Sequence, residues 1–442
     1  MYPAYTLLSA AALVVMAPWL AWQALRHGKY RHAWQERLGR LPAALAGGRP
    51  GEAGPTLWLH AVSVGEVLGA APLVAAIRRD SPTWRIVVST TTRTGRAMAE
   101  TRLPGIAGVF YFPLDFPWIV RRVLDHLAPS VVVVVETEIW PNLARRCRQQ
   151  GIGLLLVNAR ISDRSYPRYR LARRWLARVL ADFDRLCAQS DDTAERLRTL
   201  GAPADRVVVT GSLKFDVSSP AAAGVEAVAA RLAGRPVLLA ASTLKGEDEL
   251  LLDMLPAIRQ ATSDALLVLA PRHPERFDAV TALAERTGLR VVRRTRLADA
   301  PDGAFDVLVL DTIGELASLC AQATVVFVGG SLVPAGGHNI LEPARFGKAI
   351  VVGPSMSNFA DITRTFLDAH ALVQAPGADA VRREILDLFA DPVRRLTLGT
   401  AAAGVLDRHR GAVDRTMQEV TTVMRAHERQ APIAVPRAGD AP

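Results

Sequence analysis

The sequence predicts two Rossmann-like α/β domains with parallel sheets, preceded by an N-terminal membrane-anchor helix. Three observations support this fold class. Apolar runs of strand length alternate with amphipathic stretches, as in parallel strands joined by helices. This alternation stops at a stretch of small residues, Val217–Gly224, and then starts again. The first segment of the chain, from Met1 to Leu25, contains no charged residue.

Composition fits this class. A chain of 442 residues is long enough for two domains with large cores. Hydrophobic residues make up 50% and aromatic residues 6%, which suits buried parallel strands and excludes a disordered chain. The net charge of +10 indicates acidic partners such as phosphates, anionic lipids or nucleic acid. The scattered cysteines are predicted to be reduced and buried: Cys147, Cys187 and Cys320.

The uncharged N-terminal segment, residues 1–25, predicts a transmembrane helix. The window from Ala4 to Leu25 is long enough to cross a bilayer. A basic flank follows it, beginning with Arg26, which places that flank in the cytoplasm. A cleaved signal peptide is a weaker interpretation because no basic region precedes the apolar run. A buried or interfacial helix stays open, since Pro18 interrupts the span.

The first α/β domain is assigned to residues 31–216. Apolar runs rich in β-branched residues mark its strands, with amphipathic helical stretches between them. The predicted strands are Thr56–Val62, Arg85–Thr91, Val109–Leu114, Ser130–Glu136, Gly153–Asn158, Arg185–Gln189 and Arg206–Thr210.

A linker is assigned to residues 217–235, a second α/β domain to 236–412 and a flexible tail to 430–442. Two such halves predict a cleft between them, with ligands at the carboxyl ends of the strands. The predicted strands of the second half are Pro236–Ala241, Ala265–Ala270, Arg290–Arg294, Asp306–Leu310, Thr324–Val328 and Ala349–Val352.

Several enzyme classes are disfavoured because their motifs are missing from the sequence. There is no Walker loop and no G-x-G-x-x-G after the first strand. No group of histidines, cysteines and carboxylates has metal-ligand spacing. A P-loop kinase, a nicotinamide dehydrogenase and a zinc enzyme are therefore weak interpretations.

Polar residues gather instead where strands end in the first half. Glu66 follows a strand-to-helix turn, where a carboxylate can take a proton from an acceptor hydroxyl. A helix-capping carboxylate is an equally good interpretation of this position. Glu136 and Glu138 follow a strand of five valines, where carboxylates are costly unless solvated, paired or used. The arginine-rich run from Asn158 to Arg174 is either a solvated face or a site for an anionic acceptor.

The second half carries a phosphate-binding pattern. Arg272 follows a strand and could hold a phosphate. Two glycine pairs, beginning at Gly329 and Gly336, precede a helical segment with Asn339 and Glu342. Glycines before a helix N-terminus predict a phosphate site made of free backbone N–H groups. The alternative for Glu342 is a solvated helix carboxylate.

Eight strings in this order resemble the 3-deoxy-manno-octulosonic acid (Kdo) transferases of Gram-negative envelopes: HAVSVGE, ETEIWPN, NARISDRS, GSLKFD, PRHPER, DTIGEL, GGSLVPAGGHNILEPA and GPSMSNFADI. The resemblance runs from about residue 20 to about residue 410. It implies a GT-B-type fold and inverting transfer of Kdo from CMP-Kdo to a lipid A precursor (lipid IVA). It also implies location at the cytoplasmic face of the inner membrane, with no metal, no other cofactor and no nucleic-acid partner.

The resemblance also implies roles for individual residues. Glu66 would be the general base, and Glu136 and Lys214 would assist the transition state. An anionic lipid A acceptor would meet arginines of the basic run, with Arg160, Arg164 and Arg168 as candidates. The implied CMP contacts are Pro271, Arg272, Ile313, Gly314, Glu315, Asn339, Ile340, Leu341 and Glu342.

One position departs from the family pattern. Members carry a histidine after the Ser-Thr pair of the second half, whereas Leu244 stands here and Lys245 follows. A donor role for that histidine is therefore in doubt. Two other functions stay open: a GT-B enzyme using a nucleotide-diphosphate sugar, including an epimerase, and a non-catalytic binder of lipid A or nucleic acid. The second leaves the carboxylates and the glycine-rich loop without a purpose.

Overall fold

The computed structural model describes residues 1–27, 34–47, 54–163, 165–216, 225–301, 303 and 305–428, with the backbone alone for 17–27 and 428. Residue contacts divide the chain into two compact units. Unit 1 comprises Met1–Asp216 and Arg410–Pro442, and unit 2 comprises Val217–His409. The predicted linker 217–235 falls partly outside the described residues, and the predicted tail 430–442 falls wholly outside them.

Unit 1 is built on a parallel sheet that has seven strands within the described residues, in the order β3-β2-β1-β4-β5-β6-β7. Each strand begins within a residue of its predicted start. The strands are β1 (Thr56–His60), β2 (Arg85–Thr90), β3 (Gly108–Tyr111), β4 (Val131–Val135), β5 (Gly153–Ala159), β6 (Arg185–Ala188) and β7 (Val207–Val209).

Helices cover both faces of this sheet, which explains why its strands are continuous apolar runs. In β4, Val132 and Val134 join one core cluster, whereas Val131, Val133 and Val135 join the other. The helices are α1 (Tyr2–His27), α2 (Trp34–Arg37), α3 (Val64–Asp80), α4 (Arg93–Arg102), α5 (Pro117–Leu127), α6 (Pro141–Gln150), α7 (Tyr166–Leu171), α8 (Arg173–Leu180) and α9 (Asp191–Thr199).

Unit 2 repeats this architecture. Its parallel sheet also has seven strands among the residues described, in the order β10-β11-β9-β8-β12-β13-β14. The strands are β8 (Val237–Thr243), β9 (Leu266–Pro271), β10 (Val291–Arg293), β11 (Val307–Val309), β12 (Val325–Val328), β13 (Ala349–Val352) and β14 (Val373–Gln374), the last of which the sequence did not predict. The helices are α10 (Val225–Leu232), α11 (Glu247–Ala261), α12 (Phe277–Glu285), α13 (Leu316–Leu319), α14 (Leu341–Arg345), α15 (Ala360–Asp368), α16 (Ala378–Ala390) and α17 (Pro392–His409).

The last helix, α18 (Ala412–Glu428), belongs to unit 1. Val420 and Met424 are fully buried and join the core cluster that contains Leu57 and Val67. The Asp216 carboxylate accepts hydrogen bonds from the backbone N–H groups of Gly411 and Val413 at 3.0 and 2.7 Å. The start of α18 is therefore tied to the last residue before the chain enters unit 2.

The predicted transmembrane helix is not found. Among the residues whose placement is described, no helix is both long and apolar enough to cross a membrane. The first turns of α1 form hydrogen bonds with other parts of unit 1. The Tyr2 hydroxyl donates to Asp182 at 2.5 Å, and the Asn142 amide donates to the Thr6 hydroxyl at 3.1 Å. An uncharged run does not reveal such pairings, because their partners lie far along the sequence.

Both sheets have a topological switch point beside their first strand. In unit 1, β1 lies between β2 and β4, and in unit 2, β8 lies between β9 and β12. In doubly wound sheets, ligands bind where the strand order reverses, outside the carboxyl ends of the strands. The motifs that carry Glu66 and Glu136 follow β1 and β4, and the first glycine pair follows β12.

Candidate active site

Glu66 is both a helix-capping residue and a perturbed acid. Ser63 is the N-cap of α3, and the Glu66 carboxylate accepts from the Val62 N–H at 2.7 Å and from the Ser63 hydroxyl at 3.1 Å. The Ser63 hydroxyl accepts the Glu66 N–H at 3.5 Å in return, so this is a variant of the capping box in which the carboxylate takes the N–H of the residue before the N-cap. The side chain is also buried, and burial raises the pKa of Glu66 to about 7, with a further contribution from the charges of Glu136 and Glu138. The capping and base interpretations are therefore compatible.

Glu136 lies next to Lys214 at the end of β4. The Lys214 ammonium donates to Glu136 Oε1 at 2.9 Å, with the two side chains 31% and 23% exposed. Glu136 adopts a left-handed backbone conformation (φ 61°) and donates its N–H to Val157 on β5. Burial and the nearby Glu136 charge raise the pKa of Glu138. The predicted catalytic residues of unit 1 are thus brought together around one ion pair.

Two residues that the sequence did not select hold Lys214 in place. Asn158 is fully buried with φ 54°, and its side-chain oxygen accepts the Leu213 N–H at 3.1 Å. Gly69 lies one turn after Glu66 on α3, and a Cβ built there would lie 3.3 Å from Lys214 Cε. The lysine stem therefore crosses α3 where the helix has no side chain. A glycine inside a predicted helix was the available sequence signal.

The three acceptor candidates have different outcomes. The backbone carbonyl of Arg160 accepts a hydrogen bond from the Thr137 hydroxyl, which ties the start of the basic run to the loop after β4. Arg168 is exposed on α7. Arg164 lies outside the described residues. The structure therefore brings Arg160 close to the Glu136 loop, and the acceptor role of all three stays a prediction.

In unit 2, three of the residues predicted to contact the CMP-Kdo donor interact through hydrogen bonds or charge. Asn339 donates through its side-chain amide to Glu342 at 3.1 Å and accepts the Leu341 N–H at 3.0 Å. Burial raises the pKa of Glu342, and the charge of Arg272 opposes that rise. Burial lowers the pKa of His338 to about 4, with Arg272 contributing. Arg272, Asn339 and Glu342 thus lie within electrostatic reach of one another.

The expectation of free N–H groups at the glycine pairs is wrong. Glu247, the first residue of α11, is fully buried, and its carboxylate accepts the N–H groups of Gly330, Ser331 and Leu332 at 2.8, 3.1 and 3.0 Å. It also accepts the Leu244 N–H at 2.8 Å. The remaining glycine N–H groups bond to Ala241 O, Ser355 Oγ and Gly330 O. An acidic residue in the first turn of a helix is usually expected to be exposed. The sequence therefore did not indicate that Glu247 accepts these backbone N–H groups.

The remaining donor candidates differ in exposure. Ile313 is 82% exposed, whereas Glu315 is buried and accepts from Arg294 at 2.8 Å and from the Thr312 hydroxyl. Gly314 has φ 98°. The Glu315 carboxylate is thus already paired within unit 2. The other three predicted contacts, Pro271, Ile340 and Leu341, are buried.

The arginines of the PRHPER string have separate roles. Arg276 pairs with Asp248, a fully buried carboxylate that also accepts from the Thr243 hydroxyl at 2.5 Å. Arg276 donates to the Thr243 carbonyl at 2.9 Å as well. Arg272 is exposed and donates its backbone N–H to that same carbonyl. Arg276 is therefore structural, and the Arg272 side chain is the one open to solvent.

Comparisons with known proteins agree with the motif resemblance. The family model described as 3-Deoxy-D-manno-octulosonic-acid transferase (kdotransferase) matches residues 32–217. A 3-deoxy-D-manno-octulosonic acid transferase of Bordetella pertussis is 38% identical over 421 residues, which cover 92% of this chain and 96% of that protein.

Two solved structures are similar to this chain over different shares of its length. The C-terminal CMP-Kdo binding domain of WaaA from Acinetobacter baumannii is 34% identical and covers 42% of this chain and 98% of that domain, with a TM-score of 0.39. A UDP-GlcNAc 2-epimerase from Neisseria meningitidis, bound to UDP-GlcNAc, is 12% identical and covers 84% of this chain and 100% of its own, with a TM-score of 0.51. This second likeness shows a shared GT-B-type fold of two α/β units.

Proposed function

The chain belongs to the 3-deoxy-D-manno-octulosonic acid transferase family, a family of glycosyltransferases, and from that premise we propose that it transfers Kdo from CMP-Kdo to a lipid A precursor, lipid IVA, with inversion at the anomeric carbon. One observation carries the proposal. Glu66 is a buried acid whose pKa lies near 7, beside the Glu136–Lys214 ion pair at the switch point of unit 1.

Glu66 is proposed as the general base. A sugar hydroxyl is a poor nucleophile, and a base that removes its proton as the bond forms contributes typically about 10²–10⁴-fold in rate. A catalytic base works best when its pKa lies close to the working pH. Each Glu66 oxygen accepts one hydrogen bond from the protein, and a carboxylate oxygen can accept a second. The acceptor hydroxyl can therefore bind without breaking the cap.

The donor is proposed to bind unit 2 through its phosphate. Breaking the bond between Kdo and CMP builds negative charge on the phosphate and positive, oxocarbenium-like charge on the sugar. The exposed guanidinium of Arg272 can hold the phosphate in bidentate fashion. The Arg272 charge acts on Glu342, which is bonded to Asn339, and the amide and carboxyl groups of these two residues are proposed to hydrogen-bond the nucleotide. Lys214 and Glu136 are proposed to stabilise the charges that develop on the reacting groups.

The acceptor is proposed to meet the basic run that follows β5. Lipid A precursors carry phosphates and acyl chains, which need cationic and apolar protein surfaces respectively. Of the three candidate arginines, Arg160 and Arg168 lie among the described residues. Neutralising both should raise the acceptor KM and leave the CMP affinity unchanged. A loss of CMP affinity instead would move these arginines out of the acceptor role.

We also propose that both units face the cytoplasm at the inner membrane. On α1, four apolar side chains are 71–79% exposed: Leu7, Leu8, Val14 and Val15. Exposed apolar side chains on one helix favour contact with a lipid surface. Protease added to intact spheroplasts should leave both units uncut. Cleavage from the periplasmic side would overturn this location.

The proposed reaction is tested by incubating the protein with lipid IVA and CMP-Kdo and weighing the lipid products. Addition of Kdo to lipid IVA is the expected result, and the mass also counts the Kdo units. A parallel assay offers uridine diphosphate sugars and measures nucleotide release. Release from a uridine diphosphate sugar without release from CMP-Kdo would favour the alternative, a different GT-B glycosyltransferase.

A further inference from the structure

The fully buried carboxylate of Glu247 carries an inference that rests on the proposed donor site. It sits at the start of α11, the helix that follows β8, and accepts four backbone N–H groups at 2.8–3.1 Å. We propose that Glu247 is the positioning residue of the donor site, fixing the loop after β12 so that Asn339 and Glu342 meet the nucleotide.

Glu247 is a strong anchor for the loop after β12. An ionised carboxylate without partners is very costly to bury. Four N–H donors satisfy both oxygens of Glu247: Oε2 accepts from Leu244 and Gly330, and Oε1 accepts from Ser331 and Leu332. Three of these donors belong to a single loop after β12. One side chain on α11 therefore holds the loop of a neighbouring strand.

The loop held by Glu247 is connected to the candidate donor residues. The Gly330 carbonyl accepts the Gly337 N–H at 2.8 Å, and a Cβ on Gly330 would come within 2.9 Å of the His338 ring. The chain reaches Asn339 one residue later. A shift of the anchored loop is therefore passed to Asn339 and Glu342 through direct contacts.

The loop held by Glu247 differs from loops that bind a phosphate. Loops that bind phosphate leave their backbone N–H groups free for the ligand. Here a carboxylate of the protein occupies that place, so the loop serves as a rigid support. The N–H groups of Gly330, Ser331 and Leu332 are thus not available to a phosphate, and the proposed phosphate contact is the exposed Arg272, whose charge acts on Glu342. Glu247 thus acts on the donor through other residues.

The test measures CMP binding by calorimetry, followed by the KM values for CMP-Kdo and for lipid IVA. Glu247→Gln keeps the size of the side chain but turns an NH₂ group toward N–H donors. We expect the CMP Kd and the donor KM to rise roughly tenfold or more, because small displacements of binding groups have large effects. The acceptor KM should stay unchanged.

Asp306→Asn is the matched control. Asp306 is another buried carboxylate of unit 2, at the start of β11, and it pairs with Arg290 and Arg259. This variant should lose stability without a change in the CMP Kd. Equal weakening of CMP binding by both substitutions would overturn the proposal, because it would show a general loss of stability. Parental CMP affinity in Glu247→Gln would overturn it as well.

If Glu247→Gln does not fold, Gly330→Ala tests the same proposal. Gly330→Ala disturbs the same loop from its other side, because the new Cβ would press on His338. It should also raise the donor KM and leave the acceptor KM unchanged, and an unchanged donor KM would count against the proposal. If the parent protein itself does not bind CMP, the proposed function fails, and this inference falls with it.

Discussion

The Lys214 ammonium contacts Glu136 at 2.9 Å, and the stem of this lysine crosses α3 at Gly69, where a Cβ would lie 3.3 Å from Lys214 Cε. That helix also carries Glu66 one turn earlier. The base candidate, the ion pair and the glycine are therefore parts of one arrangement.

Gly69→Ala should separate stability from activity. Alanine in place of a glycine inside a helix stabilises it by roughly 0.5–1 kcal/mol. The new Cβ would lie 3.3 Å from Lys214 Cε and push the lysine away from Glu136. We expect a higher unfolding midpoint in urea together with a lower transfer rate. Gly404→Ala on α17, where the nearest atom is 3.4 Å away, is the control and should leave the rate unchanged.

Glu66→Gln should abolish base catalysis and preserve the fold. The amide oxygen can still accept a backbone N–H, so the cap is largely retained. We expect CMP binding to persist and the transfer rate to fall on the order of 10²-fold or more. Ser63→Ala is the counterpart, because it removes the cap, at a cost of about 1 kcal/mol, and keeps the carboxylate. Near-parental turnover of Glu66→Gln would move the base to Glu136 or Glu138.

The transfer rate should fall as the pH drops through about 7, because burial raises the pKa of Glu66 to about 7 and a protonated base is inactive. Stability should show the opposite trend. The folded pKa lies above the ordinary value of 4.5, so this group stabilises the fold fully below pH 4.5 and loses that contribution as the pH rises through 7. Urea unfolding at pH 5 and pH 8 measures it. At each pH, the free energy of unfolding of Glu66→Gln is subtracted from that of the parent. This difference should be smaller at pH 8 than at pH 5.

The two arginines of the PRHPER string should respond differently to removal. Arg272→Ala should weaken CMP binding by about 1.5–3 kcal/mol, the range for hydrogen bonds to charged groups. It should hardly change stability, because Arg272 is exposed. Arg276→Ala should cost roughly 3–5 kcal/mol of stability, because it leaves Asp248 buried without its partner. Calorimetry with CMP and urea unfolding test both expectations, and unchanged CMP affinity of Arg272→Ala would remove it from the donor site.

The strands were predictable because both faces of each sheet are buried. A strand such as Val131–Val135 is apolar throughout and cannot be mistaken for a surface segment. The two-residue strand Val373–Gln374 was missed because it is too short to carry a pattern. The membership of α18 in unit 1 was missed because it depends on packing between residues far apart in sequence.

The candidate site was predictable only in part. Polar residues at strand ends gave Glu66, Glu136 and Arg272, but the family resemblance was needed to assign their roles. Glu247 carries no local signal, because acids are common in the first turn of exposed helices. The pairing of Tyr2 in the N-terminal helix with Asp182 could not be predicted either, because its partner lies 180 residues away.

The position of α18 has a consequence for the order in which the protein can fold during synthesis. Unit 2 is one continuous segment inserted into unit 1, so a ribosome completes all of unit 2 before it makes the last helix of unit 1. Until then, the apolar surface that Val420 and Met424 later cover stays exposed. Unit 2 can therefore fold at a time when unit 1 still lacks α18. The nascent chain needs protection from aggregation during that interval.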